Sequence, residues 1–277
     1  MTDAPPPATM HSSQLPEVVL AGARLHAITE MQCVAHVFQS LKHNRGGWIA
    51  TANLDHMRRL RNSAEFRRVY SATTVVVADG MPLVWASKLQ GTPLPERVAG
   101  SDLIHSLTAG AAAQQRSVFF LGGDPGCADA AAEQLTKDHP GLRVAGTYCP
   151  SMGFENDPTQ MEELRRVVKQ SQADIVFVAL GSPKQELLIS KINSILPQSW
   201  WIGVGISFSF VCGAIRRAPP VVQRFGLEWL HRLLQEPRRL GRRYLWHGPP
   251  CFCWLAFSGL RGRAAARRVR NTTRSTQ

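Results

Sequence analysis

The sequence predicts a single α/β domain on a Rossmann-like, doubly wound, mostly parallel sheet, with a basic helical appendage at its C-terminal end. Three observations lead there. Apolar runs that read as strands buried on both faces alternate with amphipathic helical stretches, the pattern of a parallel sheet covered on each side. Each run ends in small or polar residues, as strands do where they feed loops. Charge is also segregated: residues 1–215 hold 18 Lys+Arg and 18 Asp+Glu, whereas residues 216–277 hold 14 Arg, no Lys and 2 Glu, so 14 − 2 places the whole excess of +12 in the last segment.

The leader MTDAPPPATMHSSQLPE has no cationic start followed by an apolar core, so residues 1–20 read as a flexible segment and not as a secretory signal. GGWIATANL (46–54) is the first strand, and AEFRRVYSA after it has apolar positions at helical spacing. TTVVVADG (73–80) is the second, three valines and an alanine running into Asp79 and Gly80. SVFFLGGDPG (117–126) is the third, followed by the helix formers of ADAAAEQLTKDH. PTQMEELRRVVKQSQ opens with Pro and acids and closes near a basic residue, the polarity a helix prefers. ADIVFVALGSP (173–183) and SWWIGVG (199–205) complete the strands, so the α/β domain spans 21–215.

A chain of 277 residues with 44% hydrophobic content can bury a real core, which excludes disorder throughout. Six cysteines without CxxC spacing or partner histidines read as reduced, mostly buried thiols of a cytosolic protein. The longest apolar candidate, PPCFCWLAFSGL (249–260), is too short to span a bilayer and suits an interface.

In a doubly wound sheet ligands bind outside the carboxyl ends of the strands. Asn53, Asp79, the GGDPG loop and the GSPKQE loop all lie at such ends, so the topology alone predicts that they converge. Asp79 then sits at the mouth of a cleft; taken alone, Asp79 and Gly80 read more readily as an Asx turn or a helix cap. Gly122, Gly123 and Gly126 can bring backbone N–H groups to a phosphate at a helix start, although they match neither GxGxxG nor a Walker loop and also suit a plain strand-to-helix turn. Lys184 and Gln185, in the first turn after Pro183, are placed to contact a phosphate, ribose or base edge, while Glu186 favours the helix dipole.

In FGLEWLHRLLQEPRRLGRRYLW (225–246) a leucine stripe accompanies Arg232, Arg239, Arg242 and Arg243. Arginine without lysine favours bidentate phosphate contacts. A basic amphipathic segment followed by an apolar patch matches a peripheral anchor on an anionic membrane surface, and a solvated basic face is the plainer alternative. Residues 216–260 form this appendage, and RGRAAARRVRNTTRSTQ (261–277) reads as a disordered basic tail.

The blocks TANLDHM (51–57), ADGMPLV (78–84), ERVAGSDL (96–103), FLGGDPG (120–126), LGSPKQE (180–186), GVGISFSFVCGAIRRAP (203–219) and EWLHRLLQEPRRLGRRY (228–244) together resemble the WecG/TagA/CpsF family of bacterial glycosyltransferases, over about residues 45–246. The resemblance implies metal-independent, inverting transfer of a hexose-type sugar (N-acetylmannosamine, its uronic acid or glucose) from a UDP-sugar to a polyprenyl-diphosphate-linked saccharide. It places the protein peripherally at the cytoplasmic membrane face, in surface or exopolysaccharide synthesis, with no cofactor. It implies that Asp79 is the general base, that Thr51 and Asn53 line the sugar and acceptor pocket, and that Arg97 and Gln185 bind substrate. Arg232, Arg239 and Arg242 match basic residues of an appendage that contacts the donor diphosphate. Ser209 stands where the family often has Asp, and Ala52 where it often has Pro. A homo-oligomer is compatible with this reading and nucleic acid is not a partner in it.

Two other classes compete. A nonenzymatic phosphate- or nucleic-acid-binding protein would use the arginine-rich end with steep salt dependence, but here arginines alternate with leucines and precede an apolar patch in place of stacking aromatics. A nucleotide-sugar epimerase or dehydrogenase would need GxGxxG and a YxxxK pair, which are missing.

Overall fold

A computed structural model of the chain describes residues 15–224 and 226–274. A short antiparallel hairpin, β1 (Glu17–Leu20) and β2 (Ala23–His26), precedes a six-stranded parallel sheet. Its strands are β3 (Gly47–Ala52), β4 (Val75–Ala78), β5 (Ser117–Gly122), β6 (Arg143–Tyr148), β7 (Ile175–Ala179) and β8 (Trp200–Gly203), in the order β4-β3-β8-β7-β5-β6. The expected doubly wound α/β plan is the fold, and all five expected strands are present.

β4, β5 and β7 are buried at every residue, which is why their sequences carry no polar alternation. One face of the sheet packs on helices Glu30–Lys42, Gly100–Ala113 and Cys127–Asp138 through Val37, Leu107 and Leu135. The other packs on helices Pro158–Ser171 and Lys184–Ile192 through Leu164, Val168 and Ile189. Adjacent residues of a strand face opposite sides: Trp200 enters the first cluster and Trp201 the second. Truncating either is expected to cost roughly 3–5 kcal/mol.

Two elements escape a reading by periodicity. β6 is an edge strand with partly exposed residues, Gly146 at φ 148° and a register shift against β5. The hairpin strands have four residues each, too few for a period to register, so β1, with Leu20 fully buried, lies inside the stretch 1–20 that the sequence reads as a flexible leader.

A third cluster lies under β3 and β4, where Met57, Phe66 and Leu83 meet the hairpin's Leu20 and Leu25. The last helix, Gly248–Arg274, joins this cluster and divides the apolar patch 249–260. Cys251 and Leu255 are buried, and a Cβ on Gly259 would lie 3.0 Å from the Ala86 carbonyl of helix Met81–Gln90. Phe257 and Leu260 remain exposed. The patch expected as a membrane contact is therefore in part core. The helix continues to Arg274, across most of the segment that composition reads as a tail.

Candidate functional site

Parallel pairing of β3 with β4 sets Ala52 opposite Ala78, and the Asp79 N–H donates to the Ala52 carbonyl at 2.7 Å, prolonging the ladder by one residue. Asn53 and Asp79 thus stand side by side at the carboxyl end of the sheet. Asn53 caps helix Leu54–Asn62: its Oδ1 accepts the backbone N–H groups of Asp55 (3.0 Å) and His56 (3.4 Å) and lies 3.1 Å from His56 Nδ1. Two backbone donors fix which end of the carboxamide is oxygen. With Oδ1 engaged, the Nδ2 end is what Asn53 can offer a ligand.

Asp79 has about a quarter of its side-chain surface open (26%) and belongs to an ionic cluster. Arg97 Nη1 lies 3.9 Å from Asp79 Oδ1 but 3.1 Å from Glu228 Oε2, and Arg97 Nη2 is 3.1 Å from Asp102 Oδ2. Arg217 bonds Asp102 at 2.5 Å and approaches Glu228 at 3.6 Å. Two guanidiniums thus serve three carboxylates, and Asp79 is the least well matched. Burial pushes its carboxyl from 3.8 up to about 7; Arg97 opposes the rise, Glu228 and Asp102 add to it, and His56 opposes. A carboxylate titrating near neutrality in a cleft has the properties of a general base.

Behind this pair runs a buried polar chain. His56 Nε2 lies 3.1 Å from Glu186 Oε1, which also accepts from Gln185 Nε2 at 2.8 Å, and Gln185 Oε1 accepts the Gly205 N–H at 3.0 Å. Both ring nitrogens of His56 face oxygen acceptors, and only the charged ring donates to both. Burial pushes the Glu186 carboxyl up, but the His56 charge and hydrogen bonds from His56 and Gln185 outweigh it and hold Glu186 below its ordinary value. Gly203 leaves room for this chain, since a Cβ there would fall 2.5 Å from Gln185 Nε2.

Two cavities flank Asn53 and Asp79. The larger, about 800 Å³, lies over the ends of β3, β8, β7 and β5 and is lined by Thr51, Gly123, Gln185 and Gly205 among others. The smaller, about 370 Å³, has an apolar wall of Met81, Trp85, Trp229 and Phe252, with Arg58 and Arg97 beside it. Asn53, Asp79 and Arg232 border both. An atom transferred between molecules held in the two cavities would pass beside Asp79.

The structure brings Asp79, Asn53, Thr51 and Gln185 together as the sequence led one to expect; Thr51 Oγ1 donates to the Gly203 carbonyl at 3.4 Å. Arg97 is present but occupied by carboxylates. Gly123 lines the larger cavity, whereas Gly122, at φ 94° and packed near Leu180, serves the turn. Lys184 lines the larger cavity while bonded to Glu155 at 2.5 Å. Arg232 lies over the Phe210 ring at 5.7 Å. The side chains of Arg239 and Arg242 lie outside the described residues. Glu186 lies in the first turn of helix Lys184–Ile192, as expected, and is in addition a buried partner of His56. In the sequence His56, beside Asn53, reads as a lone histidine of structural or solvent-facing character and Glu228 does not stand out, because each acts through a partner about 130 residues away. Among the described residues, no group of three or more His, Cys, Asp or Glu is arranged to hold a metal ion, and no helix is long and apolar enough to cross a membrane.

Comparison with known proteins agrees with this geometry. Residues 18–265 match the family described as "Glycosyl transferase WecG/TagA/CpsF family". One curated relative is the N-acetylglucosaminyldiphosphoundecaprenol N-acetyl-beta-D-mannosaminyltransferase of Bacillus spizizenii, 37% identical over 202 residues that cover 73% of this chain and 76% of the relative.

Proposed function

This chain belongs to the WecG/TagA/CpsF family of glycosyltransferases, and from that premise we propose that it transfers a hexose-type sugar from a UDP-sugar to a polyprenyl-diphosphate-linked saccharide, with inversion and without a metal. The observation that supports this reading best is Asp79, a near-neutral carboxylate at the junction of two cavities of different character. The larger cavity, the more polar of the two, suits a nucleotide sugar. The smaller, with its aromatic wall, suits the saccharide and diphosphate of the acceptor.

In this mechanism Asp79 takes the proton of the acceptor hydroxyl as that oxygen attacks the anomeric carbon from the face opposite UDP. The bond between the anomeric carbon and the β-phosphate oxygen breaks, and UDP leaves with the electron pair. One base and no carboxylate nucleophile are required for such an inverting displacement. Arg232, at the border of both cavities, is the described cation best placed to meet the developing charge on the diphosphate. Asn53, with its Nδ2 end toward the cavities, orients the acceptor or sugar.

The test is UDP release from a panel of UDP-sugars, UDP-N-acetylmannosamine first in view of the Bacillus relative, with polyprenyl-diphosphate-linked N-acetylglucosamine present or absent. Acceptor-dependent release that survives EDTA is expected. Release with no donor in the panel defeats the proposal, and loss of activity in EDTA defeats its metal-independent part.

We further propose that the C-terminal segment rests on the cytoplasmic membrane face. Leu234, Leu245 and Trp246 are exposed at 75%, 63% and 76%, and the sequence between Leu234 and Leu245 holds four arginines. Changing Leu245 and Trp246 together to Glu is expected to weaken sedimentation with phosphatidylglycerol-containing vesicles about tenfold or more, given about 1.5–3 kcal/mol for each buried side chain. Unchanged vesicle binding by the folded variant would show that this face does not meet the bilayer.

A further inference from the structure

The ionic cluster around Arg97 joins the α/β domain to the C-terminal segment. Arg97 enters from the loop after helix Met81–Gln90, tied to the end of β4 by the Val98 N–H on the Ala78 carbonyl at 2.8 Å. Asp102 comes from helix Gly100–Ala113 and Glu228 from the first position of helix Glu228–Gln235. Glu228 has 16% of its side chain exposed and holds the Arg97 nitrogen, Nη1, that would otherwise serve Asp79. Three carboxylates share two guanidiniums, so whichever carboxylate loses the contest for Arg97 keeps its charge uncompensated. In this arrangement that carboxylate is Asp79.

We propose that Glu228 is a positioning residue that couples docking of helix Glu228–Gln235 to the reactive state of Asp79: by holding Arg97 it leaves the Asp79 carboxylate unneutralised and able to accept a proton. With the helix undocked, Glu228 is gone and Arg97 closes on Asp79, whose basicity falls. The base is then weak until the segment that completes both cavities is in place. The proposal rests on Asp79 being the base.

The groups that face Asp79 are Arg97, Glu228, Asp102 and His56. Asp55, Arg58, Arg232 and His247 line the smaller cavity with it. Removing the Glu228 charge takes away a like charge and frees a guanidinium, and both changes favour ionised Asp79 at lower pH. Removing Arg217 does the opposite, since Arg97 alone must then serve Asp102 and Glu228.

The experiment measures kcat/KM against pH by UDP release, using the full chain and the donor that the panel selects. Glu228→Gln is expected to move the acidic limb down by about one pH unit, Arg217→Gln to move it up, and Glu228→Asp to keep it near its original place. A merely loosened C-terminal segment would move Glu228→Gln and Arg217→Gln in the same direction, and that result, or an unmoved limb in folded Glu228→Gln, overturns the proposal. If Glu228→Gln does not fold, Arg217→Gln decides, an unmoved or lowered limb being the contrary result. Asp79→Asn separates the two levels: activity retained with its acidic limb refutes the base itself, whereas an inactive Asp79→Asn with no shift in Glu228→Gln refutes only the coupling.

Discussion

Asp79→Asn is expected to lower kcat by about 10²–10⁴-fold while the protein stays folded, because the amide keeps the volume and polar contacts of the carboxylate but cannot take a proton. In the unaltered protein kcat/KM should rise with pH through about 7, where Asp79 ionises, and this limb should vanish from whatever activity the variant retains. Stability should move the other way. The folded-state value is raised from 3.8, so the folded chain binds a proton that the unfolded chain has released, and stability falls as pH climbs from about 4 to about 7. Above that window the cost is complete. Asn does not ionise, so the melting temperature of the variant should match the original at pH 4 and exceed it at pH 8. A variant that turns over at the original rate would remove Asp79 from the chemistry, and one that melts lower at pH 8 would contradict its partly buried, poorly compensated charge.

The second large effect lies beneath the site. His56→Leu leaves the Glu186 carboxylate buried without its cation, and breaking a buried pair by removing one partner costs about 3–5 kcal/mol. Urea unfolding should show this as a lowered midpoint. Changing Glu186 to Leu as well removes the stranded charge, so the double variant should recover much of the loss. The two sites touch, so their effects should not add. Glu186 is held below its ordinary value, so its contribution is present above the unfolded glutamate range and is lost as pH falls through the folded value. Acid unfolding should therefore be less steep in the double variant. A single variant within about 1 kcal/mol of the original would show that the network is not structural. Activity should fall along with stability, since Asn53 loses the ring that orients its Oδ1.

The sheet was legible because its cause is local. Val75–Ala78 and Ile175–Ala179 are apolar at every position since each contacts helices on both faces, and that requirement is written residue by residue. The place of the site followed as well: strands that end at Asn53, Asp79 and Gly122 must deliver them to one side of a parallel sheet. The seven ordered blocks then named the chemistry of the family, and the match over residues 18–265 agrees with them. β6 was missed for the converse reason, since an edge strand with partly exposed residues has neither the continuous run nor the alternation that marks a strand.

Read alone, the sequence establishes the α/β class, five of the six strands of the parallel sheet, the segregated charge and the residues that gather at the strand ends. The partners of these residues follow from the three-dimensional arrangement. The His56–Glu186 pair spans 130 residues and exists because β8 lies between β3 and β7, bringing the helices after β3 and β7 over one end of the sheet. Arg97 meets Glu228 across 131 residues because the C-terminal segment folds back over the end of β4. The same fold-back buries Cys251 and Leu255, which composition assigned to a membrane surface. Hydrophobic periodicity is fixed by neighbours along the chain, whereas the charge state of a buried carboxylate is fixed by neighbours through space, and these exist only once the strands have taken their order.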